Sequence, residues 1–386
     1  MGIKIKDQYA TVCSPVNLYR AAKNALSKGL RFKQHGAGWK MGMEYHLWKL
    51  SEQLKDRTFK HGRYEVFKVY DPKERIILAA GITDRVVHHA IHDVIEPIID
   101  RKFIHHSYAC RLQKGQHRGV LAAQTMMRQN TYWIHLDVKK FFYSIHRATL
   151  LGIVRRTVCD EGVDWLLTHI LDSSNNHALA DQYAPVVQQL SLFDVPPVVQ
   201  GTPLVTDKHK GLPIGNLTSQ LMANWYLNEV DQFVKHRLKH GAYIRYMDDM
   251  VVFSNTKSEL TTLENEITAY CSDILKLSLH PSGGPSSYRD GLTFLGFRIF
   301  RDHLRLKRAS AERFRKNLAY AIAHIPFRTA AGFADLHRRV QSWNAHAEKG
   351  NTYTLRKQIF GQYPVTKFMM EHDFQIKSMN KVLRWK

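Results

Sequence analysis

Acidic side chains are what this sequence is short of. Asp and Glu number 34 against 56 Lys and Arg in 386 residues, a formal net charge of +22. A field of that sign argues against a polycationic partner and favours a polyanion, nucleic acid first and an anionic membrane surface second. Cysteine is also scarce: Cys13, Cys110, Cys159 and Cys271 stand far apart with no CxxC spacing. That excludes a disulfide framework or a zinc knuckle and leaves free thiols, as expected in a reducing cytoplasm. No apolar run approaches the roughly 18 residues of a membrane span, and the polar start, Met-Gly-Ile-Lys-Ile-Lys-Asp, does not read as a leader. Internal repeats and low-complexity tracts are absent as well. Hydrophobic residues make up 44% of the chain, with 17 Tyr, 18 Phe and 7 Trp. That is ample for two or three packed subdomains and rules out a disordered chain.

The scarce acids are concentrated in an informative place. In Ala-Tyr-Ile-Arg-Tyr-Met-Asp-Asp-Met-Val-Val-Phe (residues 242–253) an apolar run is interrupted only by Arg245 and the pair Asp248 and Asp249, with no Gly or Pro. The pattern predicts two strands and a tight turn carrying the carboxylates. Two buried carboxylates side by side call for cations, although for the dipeptide alone a solvated β-turn is the better reading. Upstream, Tyr-Trp-Ile-His-Leu-Asp (132–137) predicts a strand ending at Asp137, with Phe142 five residues on. A third acid at a strand end is what a two-metal centre needs.

Other segments supply weaker signals. Residues 64–70 and 75–79 predict a hairpin whose cations, Lys73 and Arg75, could clamp a triphosphate; edge-strand cations are the plainer reading. A helix is expected from Asp84 with Thr83 as its cap. On it, His88 and His92 lack a third ligand and read as satisfied helix histidines. Arg111, Lys114, His117 and Arg118 surround Gly115 and Gly119 in a basic loop suited to a phosphate backbone. Near the N-terminus, Gly36, Gly38 and Gly42 loosen the chain before a helix with Trp39, Tyr45 and Trp48 as aromatic anchors. Residues 172–210 read as an exposed insertion. Gly211-Leu-Pro-Ile-Gly-Asn then opens a long amphipathic helix, where a glycine turn lets a nucleotide approach backbone N–H groups. The tail, including the stripe Phe314, Leu318, Ile322 and Ile325, is helical and basic.

In this order the pieces resemble the reverse transcriptases over about residues 60–300, with Tyr-Met-Asp-Asp (246–249) the most specific motif. The resemblance implies an α+β right-hand polymerase fold: N-terminal helices and fingers over 1–130, a palm with an antiparallel sheet over 131–300, and a helical thumb over 301–386. It implies an RNA-directed DNA polymerase in which Asp137, Asp248 and Asp249 hold two Mg²⁺ ions (Mn²⁺ as the alternative), with the Val138 carbonyl completing one site. Lys73 and Arg75 would hold the incoming dNTP. Phe142 would stand under its sugar as a steric gate, and Ile214 and Gly215 would line its turn. Arg111, Lys114 and Tyr246 would contact primer or template, and Phe294, Leu295 and Gly296 resemble the primer grip.

Two departures refine this. Ile214-Gly215 stands where many relatives carry Gln-Gly, resembling the error-prone enzymes of diversity-generating retroelements. The segment Ser-Trp-Asn-Ala-His-Ala (342–347) looks like that branch too. Ser282 stands where relatives often carry a lysine, which leaves the proton donor to His280 or water. The implied partners are a template RNA or structured noncoding RNA, the cDNA product and a small basic helical-bundle accessory protein, with no membrane. Antiphage defence is the alternative setting, and a non-catalytic RNA-binding protein a remote one. The short tail argues against an intron maturase, and no RNase H segment is evident.

Overall fold

The computed structural model describes residues 3–27, 34–69, 75–173, 209–324, 329–367 and 369. Lys73, Ile325 and nearly all of the expected 172–210 insertion lie outside the described residues. The chain forms two compact units. The first comprises Met1–Lys114, His135–Met250 and Thr262–Ser282; the second comprises Gly115–Ile134, Val251–Thr261 and Gly283–Lys386.

In chain order the elements are α1 (Tyr9–Cys13), α2 (Pro15–Ala25), α3 (Gln34–Met41), α4 (Met43–Lys55), β1 (Glu65–Val69), β2 (Arg75–Ala79), α5 (Ile82–Asp100) and α6 (Gln116–Gln129). Then come β3 (Tyr132–Asp137), α7 (Phe141–Ser144), α8 (Arg147–Arg155), α9 (Glu161–Asp172), α10 (Leu217–Gln232), β4 (Tyr243–Tyr246), β5 (Asp249–Ser254) and α11 (Lys257–Asp273). The chain continues through β6 (Ser286–Ser287), β7 (Leu292–Phe294), β8 (Phe297–Ile299), β9 (Leu304–Leu306), α12 (Arg308–His324), α13 (Ala330–Ala347) and α14 (Tyr353–Gly361). Helices and antiparallel sheets are both present, as an α+β fold requires. Among the described residues no helix is long and apolar enough to cross a membrane.

The first unit is organised on α5 and α10. Ser14 caps α2, accepting from the Asn17 N–H, and Leu18, Ala21, Ala22 and Ala25 face inward at helical spacing. That face packs on α5, which also carries α10. The expected Thr83 cap does not form: α5 begins at Ile82 after Gly81, and the Thr83 hydroxyl instead accepts from the Trp39 indole. Gly36 and Gly38 lie inside α3 rather than breaking the chain. On α4 the expected Leu47 and Leu54 are buried together with Leu50 and anchor the helix, whereas Tyr45 and Trp48 are 59% and 64% exposed.

The sequence reads α10 as amphipathic, yet it is buried almost all round. Thr218, Ser219, Asn224, Asn228 and Asp231 are enclosed along with Leu221, Trp225 and Val230. Two of these, Asn224 and Asp231, serve Arg245 of β4, whose side chain and that of Asp231 are both 0% exposed. All five guanidinium N–H donors are used. Nε and Nη2 reach Asp231 at 2.8 and 2.6 Å, Nη1 reaches Asn224 and the Met247 carbonyl at 3.1 Å each, and Nη2 also reaches Ser107 at 3.1 Å. Tyr243 donates to Asp231 at 2.9 Å. Burial opposes the charge on Arg245, but Asp231 outweighs it, so the guanidinium is held charged.

In the second unit the start of β3 pairs antiparallel with β6 (Tyr132 opposite Ser287), and β7, β8 and β9 form a three-stranded antiparallel sheet. Its helices close on Leu318, Ala321, Leu336, Val340, Ile359 and Phe360, with Phe314 stacked on Trp343 at 4.1 Å.

Removing one partner of a buried ion pair leaves the other charged and unsatisfied. Arg245→Ala is therefore expected to lower unfolding free energy by about 3–5 kcal/mol, measured as a shift in the urea midpoint at unchanged slope.

Candidate active site

The turn that carries the acidic pair is built from below. β4 ends at Tyr246, Met247 and Asp248 make the turn, and Asp249 is the first residue of β5. Met247 adopts φ 54°, a left-handed conformation uncommon for a non-glycine residue. The Arg245 guanidinium holds the Met247 carbonyl at 3.1 Å, so the buried cation braces the strained residue beside both carboxylates. Strand order β4-β5-β3 puts β5 next to the strand that ends in Asp137.

Asp137, Asp248 and Asp249 are thus brought together. Burial pushes the Asp248 carboxyl up to about 6, and the neighbouring charges of Asp249 and Asp137 push the same way, while Arg75 opposes. Among the described residues no group of three or more His, Cys, Asp or Glu stands ready to hold a metal ion. What the structure shows is the charges of Asp249 and Asp137 acting on Asp248. Oxygen-only donors of that kind fit a hard divalent cation, which would relieve the repulsion. Val138 bridges Leu279 antiparallel, with the Asp137 carbonyl accepting from His280 N–H and the Lys139 N–H donating to Ser278, each at 2.8 Å. In such a bridge the Val138 carbonyl is directed away from Leu279.

The remaining expected nucleotide residues are linked by backbone bonds. The Leu78 N–H of β2 donates to the Ile214 carbonyl at 2.8 Å, and the Leu212 N–H donates to the Phe142 carbonyl at 2.7 Å. The β1–β2 hairpin, which pairs Val69 with Arg75, is thereby tied to the 211–215 turn and to α7. Gly215 has φ +124°, and a Cβ there would stand 2.7 Å from the Leu78 carbonyl oxygen, so only glycine fits this approach. Phe141 is buried and Phe142 half-buried.

Of the other expected residues, Arg111 is engaged within the protein. It pairs bidentately with Asp100 at 2.5 and 3.2 Å and donates to the carbonyls of Ile104, Ser107 and Asp100. Lys114 reaches the His105 carbonyl at 2.9 Å and lies over the Tyr108 ring. Tyr246 is half-buried, and burial raises its phenol pKa. Phe294 is a core residue at 2% exposure. Leu295 and Gly296 make the β7–β8 turn at φ 48° and 82°, held where Gln116 donates to the Leu295 carbonyl at 2.6 Å. His88 is buried, shares a proton contact with His61 at 3.3 Å and Thr218 at 2.8 Å, and is pushed down to about 3 by burial. The Ser282 hydroxyl donates to Glu264 at 2.5 Å, and His280 is tied to Asp137 through the backbone, its N–H donating to the Asp137 carbonyl at 2.8 Å.

One residue the sequence reading passed over stands at the centre. His135 lies two positions before Asp137, and its Nε2 is 3.0 Å from Asp249 Oδ1. Period-two alternation along β3 was the signal that could have found it.

A carboxyl whose folded pKa is raised favours folding below its unfolded value of 3.8, and that contribution is lost as pH rises through about 6. In chelator-treated protein Asp248→Asn should therefore raise unfolding free energy above pH 7 by up to about 3 kcal/mol. The gain should vanish below about pH 4, as read by urea denaturation across pH.

Comparison with known proteins agrees with this geometry. A family model described as reverse transcriptase (RNA-dependent DNA polymerase) matches residues 71–299, more than half of the chain. Protein YkfC of Escherichia coli K12 is 24% identical over 280 residues, covering 62% of this chain and 67% of that protein. Group II intron-encoded protein LtrA of Lactococcus lactis is 24% identical over 194 residues, covering 50% of this chain and 28% of LtrA. The putative COX1/OXI3 intron 1 protein of Saccharomyces cerevisiae is 22% identical over 197 residues, covering 50% of this chain and 21% of that protein. The chain therefore spans about two thirds of one of these relatives and less than a third of the other two. A model match of that extent, over three adjacent strands that carry Asp137, Asp248 and Asp249 at their ends and turn, makes the chain a member of the reverse transcriptase family of RNA-dependent DNA polymerases.

Proposed function

We propose that the chain copies RNA into DNA by two-metal nucleotidyl transfer. The observation that carries this reading is the convergence of Asp137, Asp248 and Asp249, with Arg75 close enough to oppose their repulsion. The three carboxylates and the Val138 carbonyl would hold two Mg²⁺ ions, which when bound supply charge stabilisation to the phosphoryl group and to the attacking hydroxyl. The protein's own part is placement. Arg75, with Lys73, binds the triphosphate, and Phe142 stands under the sugar so that a 2′-hydroxyl meets an aromatic wall. The 211–215 turn holds the base and sugar from the other side. A bond forms from the primer 3′-oxygen to the α-phosphorus while the hydroxyl proton passes to water, the bond from that phosphorus to the bridging oxygen breaks, and pyrophosphate leaves. The β7–β8 turn at Leu295 and Gly296 would serve the primer. Division into fingers, palm and thumb belongs to this same proposal.

For the biological setting we favour a diversity-generating retroelement with its own template RNA and a small basic accessory protein. The support is Ile214, an apolar side chain where an amide could make a directional hydrogen bond. Antiphage defence with a structured noncoding RNA is the second reading.

Asp248→Asn and Asp137→Ala are each expected to abolish primer extension on RNA while leaving RNA retention in a filter assay close to that of the parent; extension by a purified double variant overturns the reading. Ile214→Gln is expected to lower misincorporation opposite template adenine several-fold in sequenced cDNA. An unchanged error spectrum removes the retroelement argument.

A further inference from the structure

In β3 the buried residues Ile134 and Leu136 alternate with the half-exposed His135 and Asp137. His135 thus shares a face with Asp137, and the neighbouring strand β5 begins on Asp249. The 3.0 Å contact is between His135 Nε2 and Asp249 Oδ1, with side-chain exposures of 31% and 37%. A carboxylate only accepts, so the imidazole donates its Nε2–H, and that bond occupies one direction on Oδ1 alone. Asp249 has only two side-chain torsions, and a single directed donor on one oxygen selects one of the carboxylate's orientations. It also brings a hydrogen-bond donor to a place where three carboxylates repel one another.

We propose that His135 is a positioning residue of the polymerase centre, holding the Asp249 carboxylate in the orientation in which it meets a divalent cation. The proposal rests on the reading of Asp249 as a metal ligand. Groups that orient a ligating side chain commonly change metal affinity or activity by about 10- to 100-fold when removed. A surface ion pair of no consequence would change neither.

The test is Mn²⁺ binding by the purified chain without nucleotide or primer, read as loss of the free-ion electron paramagnetic resonance signal, on the parent, His135→Ala, His135→Gln and Asp249→Asn. Glutamine places an amide N–H near the position of Nε2, so it keeps the donor without the ring. His135→Ala should weaken Mn²⁺ binding about tenfold and raise the Mg²⁺ half-saturation of primer extension by a similar factor, with the KM for dNTP little changed. His135→Gln should recover most of both. If His135→Ala binds Mn²⁺ as the parent does, or if glutamine is as damaging as alanine, the positioning role is overturned. Asp249→Asn separates the two levels. Retained Mn²⁺ binding in that variant overturns the metal reading itself, whereas its loss together with intact binding in His135→Ala overturns the positioning role alone.

Discussion

The ion pair between Arg245 and Asp231 is the constraint on which the centre depends. Taking both charges out of water costs several kcal/mol per ion, and the attraction offsets that only when every remaining donor and acceptor is satisfied. Here every guanidinium N–H has a partner. Those partners come from α10, from Ser107 and from the turn itself. A pair of this kind adds little net stability compared with a well-packed apolar core. What it supplies is geometry, because only one arrangement of α10, β4 and the segment at Ser107 satisfies all five bonds. Met247 can then sit at φ 54° beside the two aspartates without a glycine. Flexibility in that turn would scatter the carboxylates whose proximity is the chemistry.

Around this centre, backbone rather than side chain sets the distances. Leu78 to Ile214 and Leu212 to Phe142 are main-chain bonds, and the approach at Gly215 is a main-chain approach. Side chains at 142 and 214 can consequently change identity while the frame stays put. On the proposed reading that separation would let a single scaffold carry nucleotide sites of different stringency, since an amide or an isoleucine at 214 would alter what meets the base without moving the strand that carries Arg75.

The sequence was legible where a pattern is local. Apolar runs around Asp248 and Asp249 and before Asp137 predict strands and turn at the observed places, and the α2 and α12 stripes follow from spacing alone. It was misleading where the partner is distant. Arg111 in a glycine-containing loop reads as a phosphate ligand until Asp100, at the end of α5, takes its charge. Asn224, Asn228 and Asp231 read as the wet side of an amphipathic helix because Arg245, which needs Asn224 and Asp231, lies in a later strand. His135 was hidden for a different reason. A histidine in a strand carries no motif, and its meaning came only from which strand stands beside β3.

The charge distribution makes two opposite demands on the same centre. A net +22 draws a polyanion towards the chain, while Asp137, Asp248 and Asp249 already repel one another before any phosphate arrives. On the proposed reading an incoming triphosphate would add negative charge at that point, so its approach would be coupled to cations. Arg75 would contribute one fixed positive charge there and divalent ions the rest. Binding of divalent ion and of nucleotide would then be linked, each raising the affinity for the other by the same factor. The raised Asp248 pKa carries both costs, burial first and the charges of Asp249 and Asp137 after it, and on the proposed reading a bound cation would offset each.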